Sequence, residues 1–437
     1  MAVVTESLDG NRTAGAVAPP PGWRRRLPWL VGAVSAGAML GRAVQTAASI
    51  RQVDLGVYRM GASDLFSGRL YTAMLPGAHL PFTYPPLAAL LFVPLVGLSD
   101  RAAQVTWAVV SAALLVGFLA VSLRAVRPRW SRSQVVCWAL VLSYPAMVLD
   151  PVGLSFTFGQ VNVLLALMVL ADLTGRWHLG RWEIPRGLLT GLAAACKLTP
   201  AIFVPFLFFT RQTRAAWVGL ATFVGGAAVM AAVVPSESWT YWTHDIFDAH
   251  RVGGVVFVSN QSLRSTIVRF NRQHAPEPVI VVLVVAVAVA GMAVAVWAHR
   301  SSSPLLGILV CAVTGLLVSP ITWAHHLVWV VPVLLWLALA DDRPAGGRLW
   351  AAAGAAWFWW GAIWRVPHGS GRELADTVAQ LLLANSYTLV MLAFVAGIAA
   401  MLTVRRVRGA GVTRGWTDPA GSDIPTVAVG DPPEVPR

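Results

Sequence analysis

The sequence predicts an all-α protein that crosses a membrane many times. Of its 437 residues, 57% are hydrophobic and only 12% are charged, whereas soluble domains carry about 25% charged residues. Apolar runs recur along the chain and are separated by short loops that contain arginine, which is typical of a helical membrane protein. Because most arginines sit in those loops, membrane orientation explains the net charge of +13, and we expect no nucleic-acid partner.

The N-terminal end sets the orientation of the chain. Residues 1–26 are polar and Pro/Ala-rich and end in Arg24–Arg26, so we expect a disordered tail that stays in the cytoplasm. The apolar run Leu27–Ala48 is long enough to span and to remain as an anchor, unlike a cleaved signal peptide. This first helix therefore delivers Asp54 to the outer side.

Whether the next apolar run, Pro86–Leu98, crosses the membrane decides the direction of all later crossings. It has only about 13 residues and contains Pro94, whereas a spanning helix needs about 20 residues at a rise of 1.5 Å each. We therefore predict a juxtamembrane or re-entrant segment in the first external loop. Ala103–Leu123 then runs inward and leaves the arginines between 124 and 132 in the cytoplasm, as the positive-inside rule requires.

The remaining apolar segments alternate in the same way and give about twelve crossings, with both termini inside. A turn at Lys197–Pro200 separates two short segments, for which a re-entrant loop is the alternative. We treat residues 27–404 as one membrane domain and 405–437 as a disordered cytoplasmic tail. The further predicted crossings are Val135–Leu149, Val161–Leu173, Gly187–Cys196, Ala201–Phe209, Ala215–Val234, Pro278–Trp297, Leu305–Val318, Leu327–Ala340, Leu349–Trp364 and Gln380–Thr403.

Polar clusters gather on the outer side by this count. Ionisable groups at membrane depth are costly, so several of them on one face indicate a functional site. The inner loops carry arginine and little else of this kind. The outer clusters are Asp54–Tyr58, Thr83–Pro86, Phe156–Asn162, Lys197–Pro200, Ser259–Ser262 with Arg264, and Ser319–His326.

Each cluster also has an ordinary structural explanation. Asp54 can cap the helix that Leu55–Leu65 suggests, and Lys197 can extend its ammonium group to the interface. His325 and His326 begin an apolar helix, where neutral packing histidines are common. Among motifs of soluble enzymes, we find no P-loop, no HExxH and no GxSxG, and the three cysteines lack metal-binding spacing.

Six motifs in this order resemble those of one known family. They are similar to the actinobacterial polyprenol-phosphate-mannose-dependent mannosyltransferases, the family 87 branch of the GT-C glycosyltransferases, and most similar to the α-1,2-mannosyltransferases of phosphatidylinositol mannoside and lipomannan synthesis. The resemblance runs from about Ile50 to Leu334. The motifs are Val53–Tyr58, Pro81–Pro86, Phe158–Leu164, Lys197–Pro200, Asn260–Ser262 and Leu317–Trp329.

The resemblance implies a fold and a reaction. The fold is a GT-C helical bundle with amphipathic or re-entrant helices and an acidic residue in its first external loop, which here is Asp54. The reaction is an inverting transfer of mannose from polyprenyl-phosphate-mannose to a mannosylated glycolipid, a phosphatidylinositol mannoside or lipomannan/lipoarabinomannan, and it is expected to form an α-1,2 linkage. It takes place at the plasma membrane, on the outer, periplasmic face. The family's histidine pair matches His325 and His326.

The same resemblance assigns roles to the outer-face residues. Asp54 is the expected base on the acceptor hydroxyl. The phosphate leaving group needs its charge neutralised, and His325, His326, Lys197 or Arg264 can do so. The residues expected to bind the substrates are Tyr58, Tyr84, Gln160, Asn162, Lys197, Asn260, Gln261, Arg264 and Trp323.

No second carboxylate stands beside Asp54 in a D-x-D arrangement. Asp64 is ten residues on, and Asp150 is a more distant candidate. We therefore expect a metal-independent enzyme with no cofactor. Two other functions remain open: a flippase or transporter of a lipid-linked saccharide, which would not need Asp54 as a base, and a pentosyltransferase of the same superfamily.

Overall fold

The computed structural model describes residues 22–248, 251 and 253–414, and this part of the chain is nearly all helical. Most of the two predicted tails, residues 1–21 and 415–437, lies outside the described residues. The last helix extends to Arg414, across the predicted start of the C-terminal tail at residue 405. Arginine is a good helix former, and Arg405 Nη2 donates to the backbone oxygen of Asp342 over 2.8 Å, which anchors this extension.

The described residues form eighteen α-helices, several short 3₁₀ turns and one small hairpin. The helices are α1 Gly22–Ser49, α2 Val53–Asp64, α3 Pro86–Leu90, α4 Asp100–Val126, α5 Arg132–Met147, α6 Asp150–Phe158, α7 Asn162–Thr174, α8 Leu188–Cys196, α9 Phe203–Phe209, α10 Thr213–Val233, α11 Pro235–Thr243, α12 Leu263–Phe270, α13 Glu277–Ser301, α14 Pro304–Val318, α15 Val330–Leu339, α16 Gly347–Trp360, α17 Val378–Ala384 and α18 Ser386–Arg414. The 3₁₀ turns are Val93–Leu95, Thr199–Ile202, Asp245–Phe247, Ala324–Trp329, Ala362–Arg365 and Arg372–Leu374, and the antiparallel strands are β1 His178–Leu179 and β2 Trp182–Glu183.

The chain is embedded in a membrane. Five of its described helices, α1, α4, α10, α13 and α18, are long and apolar enough to cross one. A sixth crossing is formed if α5 and α6 are taken together, although the chain bends by 80° between them. Other predicted crossings correspond to shorter apolar helices, so the described structure supports five or six spanning helices and does not establish the predicted twelve.

The segment Pro86–Leu98, which was predicted not to cross the membrane, forms two separate pieces. Pro86–Leu90 forms α3, and Val93–Leu95 forms a separate 3₁₀ turn that contains Pro94. A proline lacks the backbone N–H that would continue the helix. Neither piece is long enough to cross a membrane by itself.

Helix α14 lies at the centre of the molecule. Every residue from Leu305 to Leu317 is buried, as expected for a helix that is apolar on all sides. It packs against α13 and α18 on one side and against the turn at Thr199–Ile202 on another. The residues that follow α14 therefore leave the core at a fixed place, and they carry the histidine pair.

The loops predicted to be cytoplasmic lie next to one another. The loop after α4 and the loop after α15 are joined by an ion pair of 2.6 Å between Arg127 Nη1 and Asp341 Oδ1. The extension of α18 contacts the same second loop through Arg405 and Asp342. These three segments, all predicted to be cytoplasmic, therefore lie side by side.

Candidate active site

Asp54 lies in the first turn of α2, where the helix N-terminus favours a carboxylate. The residue before the helix is Gln52, whose amide nitrogen instead donates to the backbone oxygen of Phe156 over 2.8 Å. Asp54 Oδ2 accepts a hydrogen bond of 2.6 Å from Gln160 Nε2. The carboxylate is therefore turned toward another part of the chain and does not cap its own helix.

The end of α6 holds Gln160 in this position. Gly159 has a φ of +72°, and Gln160 N donates to the Ser155 oxygen over 2.8 Å. This left-handed ending is a common helix stop that favours glycine. A Cβ on Gly159 would lie 2.7 Å from the Cβ of Leu55, so the glycine also allows α6 to approach α2.

A chain of hydrogen bonds leads from Asp54 across the site. Tyr58 OH donates to Gln160 Oε1 over 2.8 Å and lies 3.1 Å from Tyr84 OH. Lys197 Nζ donates to Tyr84 OH over 3.4 Å and lies 5.0 Å from the centre of the Tyr84 ring. We call these five residues the polar chain; it begins at a carboxylate and ends at an ammonium group.

Lys197 follows the last residue of α8, in an extended conformation. Its Nζ donates to Asn162 Oδ1 over 2.9 Å and lies 3.1 Å from His326 Nε2. An ammonium group can only donate, so His326 Nε2 is the acceptor and this imidazole is neutral when Lys197 is charged. The lysine is thus held by three polar partners inside the site and does not extend to the interface.

The histidine pair opens the 3₁₀ turn after α14, and both side chains are buried. The backbone oxygen of His325 accepts hydrogen bonds from Ser155 Oγ and Asn162 Nδ2 over 3.1 and 2.9 Å. Among the residues that the structure describes, neither ring nitrogen of His325 has a hydrogen-bond partner, nor does Nδ1 of His326. Buried polar atoms are rarely left unpaired, so these nitrogens are available to a ligand.

Three of the predicted substrate-binding residues lie elsewhere. Gln261 N donates to the Thr322 oxygen over 2.6 Å, and Asn260 Oδ1 accepts from Thr322 N over 3.0 Å. Asn260 and Gln261 are fully buried and fix the segment that leads into His325. Arg264 forms an ion pair with Glu277. None of the three lines the cavity described next.

One cavity of about 250 Å³ brings the other predicted residues together. Asn162 lines a small adjoining cavity and reaches this one through its bond to Lys197. The cavity is open on one side, and its walls combine aromatic rings with charged groups. The predicted residues in its lining are Asp54, Tyr58, Tyr84, Gln160, Lys197, Trp323, His325 and His326.

The loop that begins with α11, which was predicted to be external, adds lining residues that the sequence interpretation missed. Tyr241, Asp245 and Arg251 all line the cavity. Arg251 Nη2 donates to the Tyr71 oxygen over 2.6 Å, and its Nε lies 3.6 Å from Asp245 Oδ1. Asp245 Oδ2 is buried with no hydrogen-bond partner among the described residues. The sequence did contain a signal for these residues, namely a tyrosine together with acidic and basic residues in the longest loop predicted to be external.

Burial changes the ionisation of the two ends of the polar chain, which both lie outside the membrane-spanning helices. Burial raises the pKa of Asp54 to about 6, although the Gln160 hydrogen bond and the charge of Lys197 oppose the rise. Burial lowers the pKa of Lys197 to about 7, opposed by the charge of Asp54. Charged groups lose hydration in such a site, which explains both directions.

The other carboxylates named from the sequence do not join Asp54. Asp64 pairs with Arg69 over 2.8 Å. Asp150 lines a different cavity, where it accepts hydrogen bonds from Trp364 and Tyr387 over 2.9 and 3.0 Å. In the described part of the chain, no group of three or more His, Cys, Asp or Glu side chains is arranged to hold a metal ion.

Comparison with known proteins identifies the family of this chain. Residues 82–320 match Glycosyltransferase family 87. The chain is 32% identical, over 84% of its length and 88% of the relative's, to the polyprenol-phosphate-mannose-dependent alpha-(1-2)-phosphatidylinositol mannoside mannosyltransferase of Mycobacterium tuberculosis H37Rv. It is 35% identical, over 77% of its length and 78% of the relative's, to the corresponding phosphatidylinositol pentamannoside mannosyltransferase of M. tuberculosis CDC 1551.

A solved structure also matches at a lower level. The crystal structure of ArnT from Cupriavidus metallidurans bound to undecaprenyl phosphate is 17% identical, with a TM-score of 0.38 over 91% of this chain and 80% of that one. The family match covers more than half of the chain, and the two mycobacterial relatives cover more than two thirds of it. This membrane-embedded chain therefore belongs to glycosyltransferase family 87.

Proposed function

We propose that this chain transfers mannose from polyprenyl-phosphate-mannose to a mannosylated phosphatidylinositol glycolipid. The transfer inverts the sugar configuration, forms an α-1,2 linkage and takes place on the outer face of the plasma membrane. Family membership and the names of the mycobacterial relatives support the donor and the acceptor class. The positive-inside count supports the outer face.

The observation that carries this proposal is the polar chain. It joins the Asp54 carboxylate to the Lys197 ammonium group along the wall of one cavity, through Gln160, Tyr58 and Tyr84. Glycosyl transfer from a phosphate donor needs these two functions: a base for the acceptor hydroxyl and a cation for the leaving phosphate. A lipid transporter needs neither at fixed positions.

The reaction is a single displacement. The acceptor hydroxyl oxygen attacks C1 of the β-linked mannose and forms the new C–O bond as its proton passes to Asp54. The bond between C1 and the phosphate oxygen breaks, and its electron pair leaves with polyprenyl phosphate. One displacement converts a β donor into an α product, so the mechanism needs one carboxylate base and no covalent enzyme intermediate.

Lys197 and the histidine pair receive the leaving group. The phosphate is a weak base and needs no general acid, but its charge needs donors that are already in place. Lys197 supplies a positive charge, and the unpaired ring nitrogens of His325 and His326 supply hydrogen-bonding positions beside it. Donors of this kind are worth about 10²–10³-fold in rate each.

The aromatic and loop residues hold the sugars. Trp323 and Tyr84 present ring surfaces to the cavity. The mixed charges of Asp245 and Arg251 suit the hydroxyl groups of the mannosylated acceptor, since a carboxylate accepts from a hydroxyl and a guanidinium donates to it. We therefore place the phosphate of the donor beside Lys197 and the acceptor beside the loop residues Asp245 and Arg251.

The test is transfer by the purified protein in liposomes. Polyprenyl-phosphate-mannose is supplied with phosphatidylinositol mannosides that carry one to five mannoses, because the relatives' names include acceptors of different sizes. We expect one added mannose, removable by an α-1,2-specific mannosidase. Polyprenyl-phosphate-arabinose serves as the matched donor control and should give no product.

Two outcomes would contradict the proposal. Movement of the donor lipid across the bilayer without any sugar transfer, by protein that is folded and monodisperse, would favour the flippase. Transfer from the arabinose donor in preference to mannose would favour the pentosyltransferase.

A further inference from the structure

A second cavity, of about 600 Å³, lies on the other side of α6 from the active site. Residues of α1, α5, α6 and α16 line it, and its lining shares no residue with the active-site cavity. It lies toward the same end of the molecule as Asp54, because α1 leads into α2 with three residues between them. Its volume suits a ligand of moderate size.

An unpaired arginine inside a membrane helix faces this cavity. Arg42 lies seven residues before the end of α1 at Ser49, which is about 10 Å along the helix axis. Within the described residues Arg42 has no hydrogen bond and no ion pair. Arg42 is exposed, and a charged side chain at this depth is costly unless it reaches water, a head group or a counter-ion, so its place beside a cavity favours an anionic partner.

A second arginine, Arg365, also lines the cavity. Arg365 Nη2 donates to the Trp360 oxygen over 2.9 Å, and the guanidinium group lies 5.7 Å from the centre of the Trp360 ring. The one carboxylate in the lining is Asp150, and both of its oxygens already accept hydrogen bonds, from Trp364 and Tyr387. The cavity therefore carries two arginines and one carboxyl group, whose oxygens each already accept one hydrogen bond.

Two exposed tryptophans lie at the edge of the cavity. Trp359 lines it and is 67% exposed, and the neighbouring Trp360 is 42% exposed. Tryptophan is enriched where membrane proteins meet the head groups, because one part of its ring system is apolar and another part donates a hydrogen bond. An occupant with a phosphate and an apolar tail matches both the two guanidinium groups and this exposed aromatic edge.

We propose that this cavity binds the head group of an anionic membrane phospholipid, with Arg42 and Arg365 on its phosphate. Arg42 is free to bind phosphate oxygens at two points, whereas Nε and Nη2 of Arg365 donate to the Trp360 oxygen and leave its Nη1 for the phosphate. The acyl chains extend along the exposed faces of α1 and α16. This proposal does not rest on the proposed transfer reaction.

The test is native mass spectrometry of the purified protein with phosphatidylglycerol and phosphatidylcholine of equal chain length. Phosphatidylglycerol carries the anionic phosphate and is not an acceptor of the proposed reaction. We expect the wild type to retain one phosphatidylglycerol in preference, and Arg42→Gln to weaken that retention about tenfold. Arg129→Gln is the matched control, since Arg129 is 91% exposed in the loop after α4, and it should leave retention unchanged.

Arg42→Lys, which keeps the charge, covers the case in which Arg42→Gln does not fold. It should bind less phosphatidylglycerol than the wild type and more than Arg365→Gln combined with Arg42→Lys. Equal retention of the two lipids by the wild type, or unchanged retention by folded Arg42→Gln, would overturn the site. Displacement of the lipid by an equal concentration of soluble glycerophosphate would overturn its assignment to a lipid.

Discussion

At position 54, burial and hydrogen bonding act in opposite directions. Burial raises the pKa of the carboxyl group to about 6, and the Gln160 amide and the Lys197 charge keep it from rising further. A general base works best when its pKa lies near the working pH, because it is then ionised and still binds a proton well. The surroundings of Asp54 thus make it a stronger base than an exposed aspartate.

We expect Asp54→Asn to remain folded and to bind donor, but to lose transfer by about 10²–10⁴-fold. The amide keeps the shape of the side chain and its contact with Gln160 but cannot take the proton. Steady-state transfer and donor binding are measured on the same preparation. Asp100→Asn, at an 82% exposed carboxylate outside the cavity, is the control and should be unaffected. Near-normal turnover by folded Asp54→Asn would refute the base assignment.

Lys197 allows a direct measurement, because it is the only lysine in the sequence. Reductive methylation with ¹³C-formaldehyde therefore labels this residue and the amino terminus alone. We expect the NMR titration of the dimethyl-lysine signal to give a pKa near 7, lowered by burial, against about 10.4 for a free lysine. A value above 9 in the folded protein would show that the side chain is hydrated and not held inside the site.

The same two groups set the pH dependence of kcat/KM. Asp54 must be ionised, so the rate falls as the pH drops below about 6. Lys197 must be protonated, so the rate falls as the pH rises above about 7. We expect a bell-shaped profile whose alkaline limb disappears in Lys197→Arg, since arginine stays charged. Survival of that limb in an active Lys197→Arg protein would assign it to another group.

We also expect transfer to survive exhaustive treatment with a chelator, because Lys197 and the histidine pair meet the phosphate charge. The measurement is turnover after dialysis against EDTA, with and without added magnesium or manganese. Loss of activity in the chelator and its recovery with either metal would mean that Asp54 acts as a metal ligand.

Among the elements, α6 is the one that joins α2 to the histidine pair. Its end at Gly159 holds Gln160 on Asp54, and Ser155 holds the backbone of His325. We expect Gly159→Ala to lower both thermal stability and turnover, because an alanine there is strained at a φ of +72° and meets Leu55 at 2.7 Å. The loss of stability should exceed about 1 kcal/mol.

Gly68→Ala is the matched control for this change. Gly68 has a φ of +73° with nothing within 4 Å of the added Cβ, so it isolates the backbone strain from the clash. Equal loss of stability in the two variants would show that the approach of α6 to α2 contributes nothing.

The sequence predicts the long helices correctly but does not predict the bend between α5 and α6. The predicted crossing Ala215–Val234 is α10, Thr213–Val233, and Pro278–Trp297 lies within α13. The 80° bend between α5 and α6 was not predicted. Hydropathy measures how apolar a stretch is but not its direction, and the turn depends on how Asp150 is held by Trp364 and Tyr387, far along the chain.

The same limit explains which site residues were found. Lys197 and Gln160 stand out as polar groups in apolar surroundings, and the structure places both at the cavity. Asn260 and Gln261 stand out equally, yet the Asn260 amide oxygen accepts from Thr322 N, and the Gln261 amide donates to the backbone oxygens of Val258 and Ala384. Sequence alone shows that a buried amide needs partners, but not whether the partner is substrate or backbone.

For the whole molecule, the alternating count makes a prediction about the two ends. The native cysteines Cys137, Cys196 and Cys311 are buried, so an introduced cysteine is labelled with little background. We expect a cysteine at Arg129, 91% exposed, to react with a membrane-impermeant maleimide only from the cytoplasm. A cysteine at Phe247, 79% exposed beside the active site, should react only from outside.

Labelling of both positions from the same side would mean that an odd number of the intervening segments is miscounted. Residue 260, though in the same external loop, is fully buried and would give no signal from either side. The experiment therefore needs the exposed position at 247.

Helix α6 lines the lipid cavity and leads directly into Gln160 of the active site, so it gives binding in one cavity a physical route to binding in the other. Thr157 lines the lipid cavity, while Phe158 packs against His325 with ring centres 5.4 Å apart. If lipid occupancy changes the affinity for the sugar donor by some factor, donor binding changes the affinity for the lipid by the same factor. The composition of the surrounding bilayer then enters the apparent donor affinity, so two laboratories using different lipids would measure different constants for one unchanged active site.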